Sequence, residues 1–195
     1  MTRMFVAVLP PLEVVEDLEE LVAPRREAPV AGRPLRWSPP EQWHVTLAFA
    51  AEVPARAEEP LVTLLADAAA RKAPFATQLV GGGAFPDVAT GRVLWAGVAD
   101  PAPYDALSVV ARHAVTRAGA EVDGQRFRPH VTLARSNRPV EMARWLRVLE
   151  PYRSPTWTVD HLALVASHLG EGPRGRPRHE VVAELPLGDG HRPRS

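Results

Sequence analysis

The chain has 195 residues, with 23 basic and 23 acidic side chains and no cysteine. Its length fits one domain or two small lobes that share a core, and its 46% of apolar residues is too many for a disordered chain. The balanced charge argues against a protein that coats long duplexes. The missing cysteines exclude disulfides, thiolate nucleophiles and zinc–sulfur sites.

The predicted elements alternate between strands and helices along the chain. Period-two patterns and short apolar runs predict strands, and apolar residues spaced by three or four predict helices. In chain order we predict strand 5–9, helix 13–22, strand 45–49, helix 54–71, strand 75–79, strand 92–98, helix 101–118, a strand from 130, helix 140–149, strand 156–166 and strand 180–185.

Two other segments carry predictions of their own. The triplet Gly81, Gly82, Gly83 is predicted to end the strand before it, as a turn or bulge, and it lacks the spacing and following helix of a phosphate-cradling loop. The apolar run at residues 4–9 is too short for a signal-peptide core, and no apolar stretch approaches the ~20 residues of a membrane span. We therefore expect a cytoplasmic protein.

The most informative feature is a repeated pentapeptide. Residues 44–48 and 130–134 both read HVTLA. Because alternate residues of a strand share a face, His44 and Thr46 should lie together, opposite the apolar residues between them. His130 and Thr132 should do the same in the second copy. The element order places one copy in each of two αβ lobes, and pseudo-twofold symmetry would bring the copies together at a cleft.

Two facing imidazoles suit displacement at phosphorus. A neutral imidazole would take a proton from an attacking water, and a protonated one would give a proton to the departing oxygen. The threonine hydroxyls could donate to the non-bridging oxygens. No metal or cofactor is needed, and the sequence has no His-x-His or His-x-x-x-His pair. A lone His-x-Thr is more often structural, so the duplication is what favours function. The unrepeated histidines are predicted to be structural or solvated: His113, His161, His168, His179 and His191.

With these motifs the chain resembles the two-histidine (2H) phosphoesterases, and within them the RNA 2′,3′-cyclic phosphodiesterases, also called 2′-5′ RNA ligases. The resemblance rests on both HVTL motifs, on the opening residues 4–10, and on the flanking residues 36–43 and 127–129. It implies an α+β, bilobal fold of two pseudo-symmetric αβ lobes, with antiparallel sheets flanking a central active-site cleft. We assign residues 1–187 to this single domain and residues 188–195 to a disordered tail.

The resemblance also implies a reaction and its residues. A terminal 2′,3′-cyclic phosphate would be opened to a 2′-phosphate, with His44 as proton donor to the 3′-oxygen and His130 as base toward water. Pseudo-symmetry leaves the division of roles open. Thr46, Thr132 and Arg135 would bind the substrate phosphate. Strict alternation, however, points Arg135 to the core side of its strand, so its role requires the strand to end, twist or bulge just before it.

Two alternatives remain open. One is another 2H activity, on a small cyclic nucleotide or as 2′-5′ RNA ligation. The other is a non-catalytic RNA-binding module, although RNA-recognition sheets expose clustered aromatic residues where this chain repeats His and Thr. The predicted partners are RNA ends bearing a 2′,3′-cyclic phosphate, with no membrane and no metal, and the predicted oligomeric state is a monomer.

Overall fold

The computed structural model describes residues 1–26, 35–124 and 126–188, and in this part of the chain it contains four α-helices and ten strands. The helices are α1 (Leu12–Val22), α2 (Ala55–Ala69), α3 (Ala102–Arg117) and α4 (Ala143–Leu149). The strands are β1 (Thr2–Val8), β2 (Arg36–Trp37), β3 (Val45–Val53), β4 (Phe75–Thr77), β5 (Leu79–Phe85), β6 (Gly91–Val98), β7 (His130–Val140), β8 (Trp157–Val159), β9 (His161–His168) and β10 (Arg178–Pro186).

The main sheet is antiparallel and has two halves. Its strand order is β10-β9-β1-β3-β7-β6-β5, with β2 also paired to β7, while β4 and β8 form a separate two-stranded sheet. The first lobe contains β1, β3, β9 and β10, and the second lobe contains β2, β5, β6 and β7. One residue pair, Val45 with Val131, joins the halves in the ladder. The predicted α+β fold of two pseudo-symmetric lobes is confirmed.

The helices pack on one face of this sheet. Met4, Val6 and Val8 of β1 share one large core with the buried positions of all four helices. The alternate residues Phe5 and Ala7 form a small cluster on the opposite face, with side chains of β9. Because period-two alternation divides each strand in this way, the face opposite the helices is left to form a cleft.

Both copies of the repeat contain the same β-bulge. Between β1 and β3, Val6 faces Ala48 but Ala7 faces Thr46, so Leu47 is an extra residue. Between β6 and β7, the register shifts in the same way at Leu133. Each extra residue keeps its carbonyl satisfied: the Ser108 hydroxyl donates to Leu47 O at 2.7 Å, and the Ser38 backbone N–H donates to Leu133 O at 2.8 Å. A bulge therefore reverses which residues face the core after each motif.

We predicted that the glycine triplet ends a strand, and this prediction is wrong. The triplet lies inside β5, which pairs with β6 on both sides of it. A bulge does occur there, because the register shifts between Val80 and Gly82 and Gly81 has a φ of 56°. The last glycine of the triplet gives room to an aromatic ring, since a Cβ on Gly83 would lie 2.1 Å from the Trp95 indole. Glycine here permits close packing of the strand.

Other boundaries also differ from prediction. Residues 156–166 are two strands: β8 pairs with β4, whereas β9 pairs with β1 and β10. Residues 75–79 are likewise divided between β4 and β5, Val140 belongs to β7 and not to a helix, and β2 was not predicted. Most of the predicted tail, and His191 within it, lie outside the described residues. No described helix has the length and apolar character needed to cross a membrane.

Candidate active site

A cleft lies on the open face of the sheet, where the two lobes meet. It consists of two adjoining cavities of about 720 and 1090 Å³, one containing His44 and the other His130. The two cavities share a floor, formed by Arg3, Thr46, Phe49, Thr132 and Arg135. All five residues that the sequence singled out, His44, Thr46, His130, Thr132 and Arg135, therefore line one continuous cleft. We call its two parts the His44 side and the His130 side.

Each motif histidine is held by the same hydrogen bond. His44 Nδ1 lies 2.7 Å from the Gln42 carbonyl oxygen, and His130 Nδ1 lies 2.7 Å from the Arg128 carbonyl oxygen. A carbonyl only accepts, so Nδ1–H must donate in both rings. In the neutral imidazole the other nitrogen, Nε2, is then a free acceptor, and in the charged form it is a second donor. Both histidines can therefore give or take a proton at Nε2.

The surroundings of the two imidazoles differ. The Phe5 ring stacks on His44 at 4.5 Å between centroids, and the His179 ring meets His44 edge-on at 5.6 Å. On the other side, Phe85 meets the His130 ring edge-on at 5.0 Å, and Trp95 lies 6.0 Å away. Thus His44 lies beside a third imidazole and one phenyl ring, whereas His130 lies beside the rings of Phe85 and Trp95.

These surroundings lower the pKa of both motif histidines. Burial is the main cause for His44 and lowers its pKa to about 4, against the opposing effect of the bond to the Gln42 carbonyl, and nearby positive groups contribute further. Burial also lowers the pKa of His130, followed by the charges of Arg135 and Arg128. Without a bound anion, both imidazoles are therefore neutral near pH 7.

The bulge in β7 places Arg135 in the cleft. Leu133 and Ala134 are both buried, so alternation restarts one residue late and Arg135 falls on the face of Thr132. From the sequence, a role in phosphate binding required the strand to end, twist or bulge just before Arg135, and the bulge meets this condition. In the first lobe the equivalent position is Phe49, which pairs with Phe5 as Arg135 pairs with Val93. The Arg3 guanidinium lies over the Phe49 ring at 4.5 Å.

His179 is a cleft residue that the sequence did not reveal. We predicted a structural or solvated side chain, but it lines the His44 side and touches both Phe5 and His44. Burial lowers its pKa. It lies on β10, far from either motif in sequence, and it has no repeated counterpart that could have pointed to it. The other described histidines are surface residues: His161 pairs with Asp160, His168 with Glu180, and His113 is exposed.

The cleft is strongly positive although the whole chain is neutral. Six arginines line it, against two aspartates, Asp105 and Asp123: the arginines are Arg3, Arg36, Arg126, Arg128, Arg135 and Arg176. Such a concentration of guanidinium groups favours a phosphate-bearing ligand. Among the described residues, no cluster of three or more His, Asp or Glu side chains could hold a metal ion.

Comparison with known protein families gives one match over most of the chain. A family model described as the 2′-5′ RNA ligase superfamily matches residues 10–171. That range contains both motifs and all of the residues predicted for the site.

Curated relatives extend this match. The chain is 35% identical over 201 aligned residues to the RNA 2′,3′-cyclic phosphodiesterase of Thermus thermophilus, covering 97% of this chain and 92% of that protein. It is 32% identical over 154 residues to the protein of the same name from Geobacillus stearothermophilus, covering 77% of this chain. The match spans only about half, 47%, of the Geobacillus protein.

Solved structures show the same fold. The crystal structure of TT0787 of Thermus thermophilus superposes with a TM-score of 0.76 at 30% identity, covering 97% of this chain and 100% of that one. Escherichia coli LigT complexed with 3′-AMP superposes with a TM-score of 0.73 at 26% identity, covering 95% and 98%.

Proposed function

The chain belongs to the 2′-5′ RNA ligase superfamily, and we propose that it hydrolyses a terminal 2′,3′-cyclic phosphate of RNA to a 2′-phosphate. The observation that carries this proposal is the pair of imidazoles, His44 and His130, held alike at Nδ1 in one positive cleft. The names of the relatives from Thermus thermophilus and Geobacillus stearothermophilus support the same reaction.

In the proposed reaction, water attacks phosphorus while the bond from phosphorus to the 3′-oxygen breaks. His130 Nε2 accepts the proton of the water, and His44 Nε2–H donates a proton to the departing 3′-oxygen. The Thr46 and Thr132 hydroxyls and the Arg135 guanidinium bind the non-bridging oxygens, whose negative charge grows toward the transition state. The scheme balances with water as the only co-reactant and involves no metal.

The bound phosphate also changes the pKa of the two motif histidines. In the free protein the charge of Arg135 helps to lower the pKa of both histidines. An anion against Arg135 offsets that charge, so substrate binding raises the pKa of both imidazoles. A bound phosphate therefore makes it easier for one of the two imidazoles to carry the proton that the departing oxygen needs.

The proposal includes the setting of the reaction. The partner is an RNA end that carries the cyclic phosphate, and the arginines of the cleft match its negative charge. We further propose that the protein acts in the cytoplasm. Its active form is proposed to be a monomer, since both motifs of the site come from one chain.

The first experiment incubates the purified protein, with EDTA, with a short oligoribonucleotide that ends in a 2′,3′-cyclic phosphate. We expect a 2′-phosphate product, and a rate lower by roughly 10²–10⁴ in His44→Ala and in His130→Ala, because each imidazole transfers a proton. Chromatography against standards that end in a 2′-phosphate and in a 3′-phosphate identifies the product end.

His113→Ala, which removes an exposed histidine outside the cleft, is the matched control and should retain the full rate. A near-normal rate in either motif variant would remove that residue from the mechanism. Activity that EDTA abolishes and added metal restores would contradict the metal-free scheme. Joining of two oligonucleotides instead of hydrolysis would favour the ligation alternative.

A further inference from the structure

Two arginines face each other across neighbouring strands at the edge of the site. In the β2–β7 ladder, Arg36 is the direct partner of Arg135. Both side chains line the cleft. Like charges that lie directly opposite in an antiparallel pair destabilise the sheet. The arrangement is therefore costly unless an anion lies between or beside the two guanidinium groups.

The described part of the chain supplies no such anion. Arg26 pairs with Glu19 and Arg178 pairs with Glu171, but neither Arg36 nor Arg135 forms an ion pair with any described carboxylate. The pKa of Arg135 is lowered, first by burial and then by the charge of Arg36. The two positive charges are thus close enough to repel each other.

The backbone of Arg36 is firmly held. The next residue, Trp37, pairs with Ala134 in the ladder, and its ring packs edge-on against Trp145 at 4.8 Å. One residue further, the Ser38 N–H donates to the bulge carbonyl of Leu133. Arg36 is consequently presented to the cleft by a fixed strand that is anchored to β7.

Charge counting separates the roles of the two arginines. A cyclic phosphodiester carries one negative charge, and Arg135, on the shared floor of both sides, is placed to offset it. Arg36 lines the His44 side and not the His130 side. The departing 3′-oxygen stays attached to the terminal ribose, so the terminal nucleotide must lie beside its proton donor, His44. The next negative charge on that side is the phosphodiester at the 5′-oxygen of the same nucleotide.

We propose that Arg36 binds the phosphodiester on the 5′ side of the terminal nucleotide, and thereby makes an oligonucleotide end a better substrate than a cyclic mononucleotide. This inference rests on the proposed function. It names the substrate class of the same cleft: an RNA chain with at least one internal phosphate next to its cyclic end.

The test compares two substrates in Arg36→Ala and wild-type protein: cytidine 2′,3′-cyclic phosphate and a tetranucleotide that ends in the same cyclic nucleotide. We expect kcat/KM for the tetranucleotide to fall roughly tenfold, as for the loss of one charge-assisted hydrogen bond, and to be unchanged for the mononucleotide. Arg36→Lys keeps the charge and should retain part of the preference. Arg56→Ala, which removes an exposed arginine of α2, should leave kcat/KM unchanged for both substrates.

The thermal midpoint of Arg36→Ala should equal or exceed that of the wild type, because the substitution relieves repulsion with Arg135. An equal loss of kcat/KM on both substrates would overturn the proposal and place Arg36 on the reacting phosphate. No loss of kcat/KM on either substrate would exclude Arg36 from the site. Binding of a labelled tetranucleotide with a 2′-phosphate end, measured by fluorescence anisotropy, tests Arg36 without turnover. If the wild-type protein turns over neither substrate, the proposed function fails. Even then, weaker binding of the labelled tetranucleotide by Arg36→Ala than by the wild type would support the assignment of Arg36.

Discussion

At the scale of single residues, burial controls the charge of the histidines in the cleft. The pKa values of His44, His130 and His179 are all lowered, and desolvation is the first cause in each case. These side chains are therefore neutral in the folded protein at a pH where an unfolded histidine is already protonated. Their burial links the stability of the fold to the protonation of its site.

This linkage predicts how stability depends on pH. Between the unfolded value of 6.5 and the folded value of about 4 for His44, the unfolded chain binds more protons, so stability is fully present above that window and falls as pH falls through it. Denaturant unfolding at a series of pH values measures the slope. His44→Gln should flatten it between pH 6.5 and 4, and His113→Gln, at an exposed position, should not. Identical slopes in the two variants would contradict the lowered pKa.

The sequence could reveal only some of the site residues. His44, Thr46, His130 and Thr132 stand out because they are duplicated. Arg135 is not duplicated, and alternation alone points it to the wrong face, so only the family resemblance could nominate it. His179 reaches the cleft through the pairing of β10 with β9, and a pairing between strands is not written in either strand alone.

At the scale of elements, the bulge in each motif strand is the feature that builds the floor of the cleft. Period-two alternation predicted β3 and β7 but could not show the extra residues, Leu47 and Leu133, because a bulge depends on the partner strand. The same limit explains why the residues of β4 and β5 were predicted as one strand: the break follows from their different partners.

Ser108 tests the importance of the first bulge. Its hydroxyl is buried and donates to Leu47 O at 2.7 Å, so Ser108→Ala leaves that carbonyl without its partner. We expect a loss of about 1–3 kcal/mol in the free energy of unfolding, measured in denaturant, and a lower kcat/KM because Thr46 precedes the bulge directly.

Thr63→Ala is the control for this substitution. It removes an exposed hydroxyl whose bond to the Glu59 carbonyl lies within α2, and its effect should be small. If Ser108→Ala were as stable and as active as Thr63→Ala, the bulge would not depend on this hydrogen bond.

At the scale of the whole molecule, the two lobes are joined by a common hydrophobic core and only slightly by the hydrogen-bonded sheet. One residue pair joins their ladders, yet Met4 and Val45 of the first lobe belong to the same core as Leu94 and Val131 of the second. The Tyr152 hydroxyl also donates to Asp17 of α1 at 2.7 Å, across a separation of 135 residues. The element order and the repeat were sufficient to predict two lobes, but a continuous core follows only from how the helices pack.

This shared core predicts that residues 1–187 unfold as one unit. Calorimetry should show a single two-state transition, because neither lobe can open without exposing the common core. Tyr152→Phe should lower the free energy of unfolding by about 1 kcal/mol and keep one transition, since it removes only a hydrogen bond. Two separate transitions in the wild type would show that the lobes are independent domains.

The matched hydrogen bonds of His44 and His130 have a consequence for repeated turnover. If the reaction runs as proposed, it ends with the proton on His130 and none on His44, which is the starting arrangement for the opposite direction. The protein must then be reset, by exchange of both protons with solvent, before it can open another ring. Because each ring keeps its Nδ1–H fixed to a backbone carbonyl, only Nε2 takes part in that exchange, and the imidazoles need not rotate between cycles.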